Sequence, residues 1–275
     1  MPELPEVHTV CLSLRRHLLG ALIVSASQHG KLRHYVETAA LDAFCRQQRI
    51  SSIERRAKYI LLGFEKGGGL ILHLGMTGRF IVEPDDKILL PHERCSWILA
   101  DGRRWRYCDA RRFGAVHLCP PELPFEQHPA LAQLGLEPLS EEFTGKQLHS
   151  LCRGRKAPIK NLIMSQRFVV GIGNIYACEA LFASGISPFT PAGKLSLPRC
   201  KALVAAIKAV LQEAIASGGS TIRDYQSVNG SEGEFQLRLQ VYGKNSQCCP
   251  RCQSKIVRGT QAGRSSYYCP KCQKN

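Results

Sequence analysis

Apolar positions recur at helical spacing almost from the first residue. Val7, Val10, Cys11, Leu14 and Leu18 fall on one face, and Gly20 offers a stop. Pro5 suits the first turn of such a helix, where its missing N–H costs nothing. The texture changes after residue 20. From about 21 to 119 the chain reads as short apolar runs split by Gly and Asp: ALIVSA, YILLGF, GLILHLG, RFIVEP, SWILADGRRWRY and FGAVHL. Asp101-Gly102 between two such runs is a hairpin signal. The pattern predicts an antiparallel β-sandwich or barrel of about 90–100 residues. Residues 120–140 hold five prolines and mark a linker or change of domain. Helical patterns dominate afterwards, near 158–166, from about 174 to a stop at Gly185, and from the N-cap Ser196 to Gly218-Gly219. The stretch 220–236 is polar and glycine-bearing and reads as a loop.

Length fits one large or two ordinary domains: 275 residues, 44% hydrophobic and 21% charged. No apolar run is long enough to span a membrane. The opening MPELPEVHTV carries two acidic residues and no basic stretch, which is not the pattern of a secretory signal or transit peptide. Lys and Arg outnumber Asp and Glu by 37 to 22, a net charge of +15, and the excess favours a polyanionic partner. The basic residues are spread through 15–16, 103–106, 111–112, 153–156, 160 and 251–271. That fits a folded binding surface better than a disordered arm.

The 13 cysteines are an odd number in a chain with no signal sequence, so a disulfide framework is not expected. Nine are scattered and read as small core residues. The other four form the strongest local motif: Cys249-Pro-Arg-Cys252, 16 intervening residues, then Cys269-Pro-Lys-Cys272. Two such knuckles supply four thiolates to one tetrahedral Zn²⁺. KIVRG and SSYYC around Gln261-Ala262-Gly263 predict a β-hairpin finger. A closed four-cysteine site is structural, and Cys248 competes with Cys249 only at the cost of the two-residue spacing.

The N-terminal PELPEV, RRAKYILL (55–62), HLGMTGRF (73–80), DARRFGA (109–115), VVGIGNIYACEALF (169–182), LQVYGK (239–244) and the terminal cysteine module together resemble the bacterial formamidopyrimidine-DNA glycosylase family, over the whole chain. The resemblance implies an α+β protein. An N-terminal β-sandwich with flanking helices (1–130) precedes a helical domain with a helix–two-turn–helix element (131–236) and a zinc finger (237–275), with DNA held between domains. It implies a bifunctional enzyme of base-excision repair, a glycosylase for oxidised purines and a lyase that cuts the abasic site by β,δ-elimination. It further implies one structural zinc, a double-stranded DNA partner carrying oxidised bases or abasic sites, no membrane partner, a monomer, and action in the bacterial cytoplasm at the nucleoid.

The same resemblance assigns residues. Pro2 becomes the nucleophile once Met1 is removed, because an α-amine titrates near 8 and is partly neutral at physiological pH. Glu3 becomes the general acid, with Glu6 in support. Lys58 contacts the flanking phosphate and donates a proton in β-elimination. Arg264, on the finger hairpin, assists δ-elimination. Met76, Arg111 and Phe113 match the residues that fill the void left by a flipped base. Phosphate contacts are expected from His73, His92, Arg111, Arg155, Lys156, Lys160, Asn174, Tyr242 and Arg264. Asn174 opens a helix, where free N–H groups favour a phosphate. The loop 220–236 is where the family encloses the flipped base. The chain departs from the family pattern at His8, where an acid is common, at Ala110, where Pro is usual, and at the extra Cys248. Two other readings stand beside this one. An endonuclease VIII-like enzyme would prefer oxidised pyrimidines, and a non-catalytic zinc-finger DNA-binding protein would form no covalent intermediate.

Overall fold

The computed structural model describes residues 1–34, 36–219 and 235–275. The first helix, α1 (Leu4–Leu18), buries the predicted stripe of Val7, Val10, Cys11, Leu14 and Leu18. Strands β1 (Ile23–Gln28), β6 (Glu93–Leu99), β7 (Arg103–Cys108) and β5 (Arg79–Pro84) form one antiparallel sheet in that spatial order. A second antiparallel sheet runs β2 (Ile50–Arg56), β3 (Tyr59–Phe64), β4 (Gly69–His73) and β8 (Ala115–Cys119). The hairpin at Asp101-Gly102 joins β6 to β7, with Gly102 at φ 83° where a side chain would be strained. A short helix, α2 (Thr38–Cys45), follows β1; its eight residues are not separable by pattern from the strand-rich texture around them.

The two sheets enclose one apolar core. Ile60, Leu62 and Phe64 of β3 and Leu70 and Leu72 of β4 point into it, with Trp97, Trp105 and Phe80 from the other sheet. Trp97 and Trp105 stack at 4.0 Å. Leu61 and Ile71 are also buried, on the opposite face of their strands. Burial of both faces explains why these strands read as continuous apolar runs rather than alternations.

Residues Met1–Ala132 form one compact unit; Gln133–Ser217 and Phe235–Asn275 belong to a second. The second holds α3 (Gly145–Cys152), α4 (Ile159–Ile163), α5 (Asn174–Ala183), α6 (Leu197–Ala216) and the hairpin β9 (Val257–Gln261) and β10 (Arg264–Tyr268). The first unit's opening segment ends at Ala132, and the finger residues fall in the second unit with the helices. Cys178 and Phe182 of α5 share an apolar cluster with Val241, Cys249, Ile256 and Cys269, so helices and finger close a single core. The expected loop 220–236 lies outside the described residues except for its last two. Among the described residues no helix is long and apolar enough to cross a membrane.

Candidate active site and metal centre

The N-terminus of α1 is built from polar residues that would not ordinarily be buried. Glu3 is the N-cap and Glu6 the third helical residue, and they are 2% and 3% exposed. The Glu6 carboxylate accepts the backbone N–H of Glu3 at 2.8 Å, one half of a capping box. This fixes the backbone immediately after Pro2, which is buried while Met1 is exposed. The helix also has a defined register on β2. Cys11 Sγ donates to the Glu54 carbonyl at 3.5 Å, and Arg15 Nε donates to the Ile53 carbonyl. His8, one turn nearer the N-terminus, feels the Arg55 guanidinium; burial first, then Arg55 and Arg15, hold its imidazole below the ordinary range. Stepping from Arg15 to His8 thus moves along β2 from Ile53 to Arg55.

The β2–β3 turn is Ala57-Lys58, closed by the pairing of Arg56 with Tyr59, and Ala57 takes a left-handed φ of 55°. Lys58 is buried. Tyr59 pairs with His73 across β3–β4, and their rings lie 4.8 Å apart. Burial, then the charges of Lys58 and Arg33, hold the His73 pKa down to about 4. Its Nδ1 accepts the Gly75 N–H at 3.0 Å, so the neutral ring carries its proton on Nε2 and is a donor there. Lys58 and His73 therefore stand at one end of the sandwich.

The two loops expected to fill a base void leave from that same end. Phe113 is 46% exposed, and the Arg111 guanidinium lies 5.0 Å from its ring centroid. Arg111 is exposed and Met76 half-buried. The loops meet back to back: a Cβ on Gly75 would fall 2.5 Å from the Gly114 nitrogen and the Phe113 carbonyl carbon. Asp109, wholly buried, bonds to both of them. His92 is exposed at φ 64°, and its carbonyl accepts the Asp109 N–H at 2.9 Å.

In the second unit, the sulfurs of Cys249, Cys252, Cys269 and Cys272 all lie within 4.8 Å of one another. Cys249 and Cys272 are 3.9 Å apart, Cys252 and Cys269 3.5 Å. A tetrahedron with metal–sulfur bonds of 2.3 Å has edges of about 3.8 Å, so the four thiols fit one metal ion. Cys248 is exposed and stands apart from the cluster, as the spacing required.

The finger carries Arg264 at the start of β10, after a two-residue turn with Ala262 at φ 46° and Gly263 at φ 72°. Arg264 is exposed. Behind it lies a buried polar chain. Lys160 Nζ donates to the Ser265 carbonyl at 2.9 Å and to Ser266 Oγ at 2.7 Å. Ser266 donates to Gln261 Oε1 at 2.7 Å, and Gln261 Nε2 to the Pro188 carbonyl at 3.0 Å. Lys160 is 1% exposed and departs from the expected direct phosphate contact. Its ammonium ties α4 to the hairpin.

Arg155 and Lys156 are exposed, with Arg155 4.3 Å over the Phe168 ring. Asn174 starts α5, and its buried Oδ1 takes no hydrogen bond among the described residues. Tyr242 packs edge-on against Tyr267 at 5.1 Å. Its backbone is held by Glu179, whose carboxylate accepts the N–H groups of Gln240, Val241 and Tyr242 at 2.9, 3.0 and 2.8 Å. Glu179 and Asp109 both escape a reading of the sequence. Each stands in a quoted motif, and Glu179 sits in the apolar run ACEALF, where an acid signals a buried partner.

Comparison with known proteins agrees with this geometry. A family model described as the formamidopyrimidine-DNA glycosylase N-terminal domain matches residues 1–116, and one for the H2TH domain of the same family matches 134–226. A formamidopyrimidine-DNA glycosylase of Xanthomonas oryzae pv. oryzae is 42% identical over 252 residues, 92% of each chain. One from Magnetococcus marinus is 42% identical over 266 residues, 96% of each. Among solved structures, the MutM (Fpg) protein of Thermus thermophilus superposes with a TM-score of 0.87 at 38% identity, covering 99% of this chain and 98% of that one. A Lactococcus lactis Fpg mutant bound to Fapy-dG-containing DNA gives 0.92 at 32% identity over all of both chains. With both domain models in order and relatives matched along nearly their whole length, the chain belongs to the formamidopyrimidine-DNA glycosylase family.

Proposed function

We propose that the chain excises oxidised purines through a covalent intermediate on Pro2 and then cuts the strand on both sides of the abasic sugar. The family is one of bifunctional DNA glycosylase/abasic-site lyases, and the chain is an enzyme of base-excision repair. Related Lactococcus lactis structures hold DNA with Fapy-dG, an abasic site, or an oxidised pyrimidine. The observation that carries the residue-level reading is the capped, buried N-terminus of α1, registered on the strand that turns into Lys58.

Removal of Met1 bares an α-amine on Pro2, and free α-amines as a class titrate near 8, low enough for part to be neutral at physiological pH. The lone pair of the Pro2 amine attacks the sugar C1′, a C–N bond forms, the bond from C1′ to the damaged base breaks, and the proton left on the alkylated nitrogen passes to the departing base. The ring oxygen then leaves C1′ and takes a proton from Glu3, leaving an iminium. That cation accepts electrons as a proton leaves C2′ and the 3′ phosphate departs. A second loss, from C4′, expels the 5′ phosphate, and water hydrolyses the iminium to free Pro2. Lys58 binds the flanking phosphate and donates a proton in the first elimination, and Arg264 assists the second. His73 through Nε2–H, His92, Arg155, Lys156, Asn174 and Tyr242 position the phosphates. Met76, Arg111 and Phe113 fill the void of the extruded nucleotide. Lys160 acts indirectly, through the hairpin. The metal of the four-thiolate site is zinc, which holds that hairpin and takes no part in the chemistry. The enzyme acts on the chromosome in the bacterial cytoplasm.

Borohydride reduction during reaction with a lesion duplex tests this directly. The expected result is one protein–DNA adduct, lost when Met1 is retained. Strand cutting by a chain with a blocked Pro2 would overturn the mechanism. Faster processing of thymine glycol than of 8-oxoguanine opposite cytosine would overturn the purine preference.

A further inference from the structure

We infer that Asp109 is a positioning residue that clasps the two void-filling loops into one rigid wedge. The inference rests on the assignment of Met76, Arg111 and Phe113 to base extrusion. Its carboxylate is wholly buried and divided between the loops. Oδ1 accepts the Thr77 hydroxyl at 2.6 Å, next to Met76, and Oδ2 accepts the Gly114 N–H at 2.8 Å, next to Phe113. Thr77 Oγ1 in turn accepts the Arg111 N–H at 3.1 Å. Three hydrogen bonds therefore link the neighbours of all three wedge side chains through one carboxylate. The Asp109 backbone is pinned as well. Its N–H meets the His92 carbonyl at 2.9 Å, and its carbonyl accepts Arg94 Nε at 2.9 Å.

Chemistry explains why this chain needs such a clasp. The residue that follows Asp109 is Ala110, so no proline ring fixes φ in this turn. Arg112 adopts φ 60°, a conformation that a non-glycine residue holds only when its surroundings impose it. The bonds of Asp109 supply that constraint. A carboxylate accepting O–H and N–H donors in a dry site makes shorter and stronger bonds than a neutral acceptor would. The consequence is that Met76 does not move independently of Arg111 and Phe113. The wedge enters the duplex as a unit, and the ordering it requires is complete before DNA arrives.

Thr77→Val removes the hydroxyl and keeps the shape, so it severs the clasp without deleting a buried charge. The expected result is a fall of at least about tenfold in kcat/KM for excising a lesion base from duplex DNA, the scale of the lost bond to the charged Asp109 acceptor alone, with the bond from the Arg111 N–H lost beside it. Cutting of a pre-formed abasic site, where there is no base to unstack, changes by less than about twofold. Thr77→Ser restores excision, and Met76→Ala combined with Thr77→Val loses less than the product of the two single losses. Equal losses in both activities, failure of serine to rescue, or excision unchanged in Thr77→Val would overturn the clasp. If instead Met76→Ala and Phe113→Ala excise normally while Thr77→Val does not, the void-filling assignment fails, and the clasp as a wedge device fails with it.

Discussion

Replacing Glu179 with glutamine probes the joint between α5 and the segment that leads into the finger. The native carboxylate is 4% exposed and accepts three backbone N–H groups, two on Oε1 and one on Oε2. Glutamine keeps the carbonyl oxygen facing Val241 and Tyr242 but turns an NH2 toward the Gln240 N–H. One bond to a charged acceptor is lost, worth about 1.5–3 kcal/mol, and the other two weaken because a neutral acceptor is roughly half as strong. Opposing this, burial pushes the Glu179 carboxyl up, so neutralising the side chain recovers part of its desolvation. The net expectation is about 2–3 kcal/mol lost for Glu179→Gln, and about 4 kcal/mol for Glu179→Ala, which leaves three donors unpaired. Urea unfolding followed by far-ultraviolet circular dichroism measures the loss, and metal release to a chromophoric chelator reports the finger. A Glu179→Gln protein within about 0.5 kcal/mol of the parent, or one less stable than Glu179→Ala, would refute the reasoning.

Stability should also fall on acidification through the range from about 6.5 to about 4. His73 is neutral in the fold, with its pKa held down to about 4. The unfolded chain takes up its proton near 6.5, so the stabilisation is complete above that value and lost as pH falls toward 4, at most about 3 kcal/mol. Urea midpoints at pH 7 and pH 5 should differ less in His73→Gln; an unchanged difference would contradict this. Cys252→Ser should lower metal content below one ion per chain and weaken DNA binding, read by metal analysis and gel shift; full metal retention would contradict the site. Lys160→Met should loosen the hairpin under Arg264 and raise the proportion of β- over β,δ-elimination products on a sequencing gel, with base excision less affected; an unaltered product ratio would show that the hairpin does not depend on Lys160.

The strands, the long helices and the metal ligands are legible in the sequence because each writes a local pattern. Apolar runs, helical periodicity and paired cysteines need no knowledge of what lies across the core. The eight-residue helices α2 and α3 are not, because one or two turns leave too short a period to read. Strand β2, ISSIERR, is hidden because its two buried isoleucines stand three apart, across a shift in register, and so break the period-two alternation. Site residues that act alone in their motifs, such as Lys58, can be named from the resemblance. Asp109 and Glu179 cannot, since the partners of their carboxylates lie 5 to 63 residues away. Lys160 misleads for the same reason: a lysine in a basic stretch looks solvated until its serine partners, over 100 residues on, are placed beside it.

The shared core of helices and finger sets an order of assembly. Ser187 N–H bonds to the Lys274 carbonyl at 2.9 Å, and Gln273 Nε2 to the Ile186 carbonyl at 2.8 Å across 87 residues of sequence. Among the described residues every strand of the two sandwich sheets lies between Ile23 and Cys119, so those sheets can close early in synthesis. The helical unit cannot. Cys178 and Phe182 of α5 pack against Val241, Cys249, Ile256 and Cys269, so that apolar face is covered only after the segment through Cys269 has emerged.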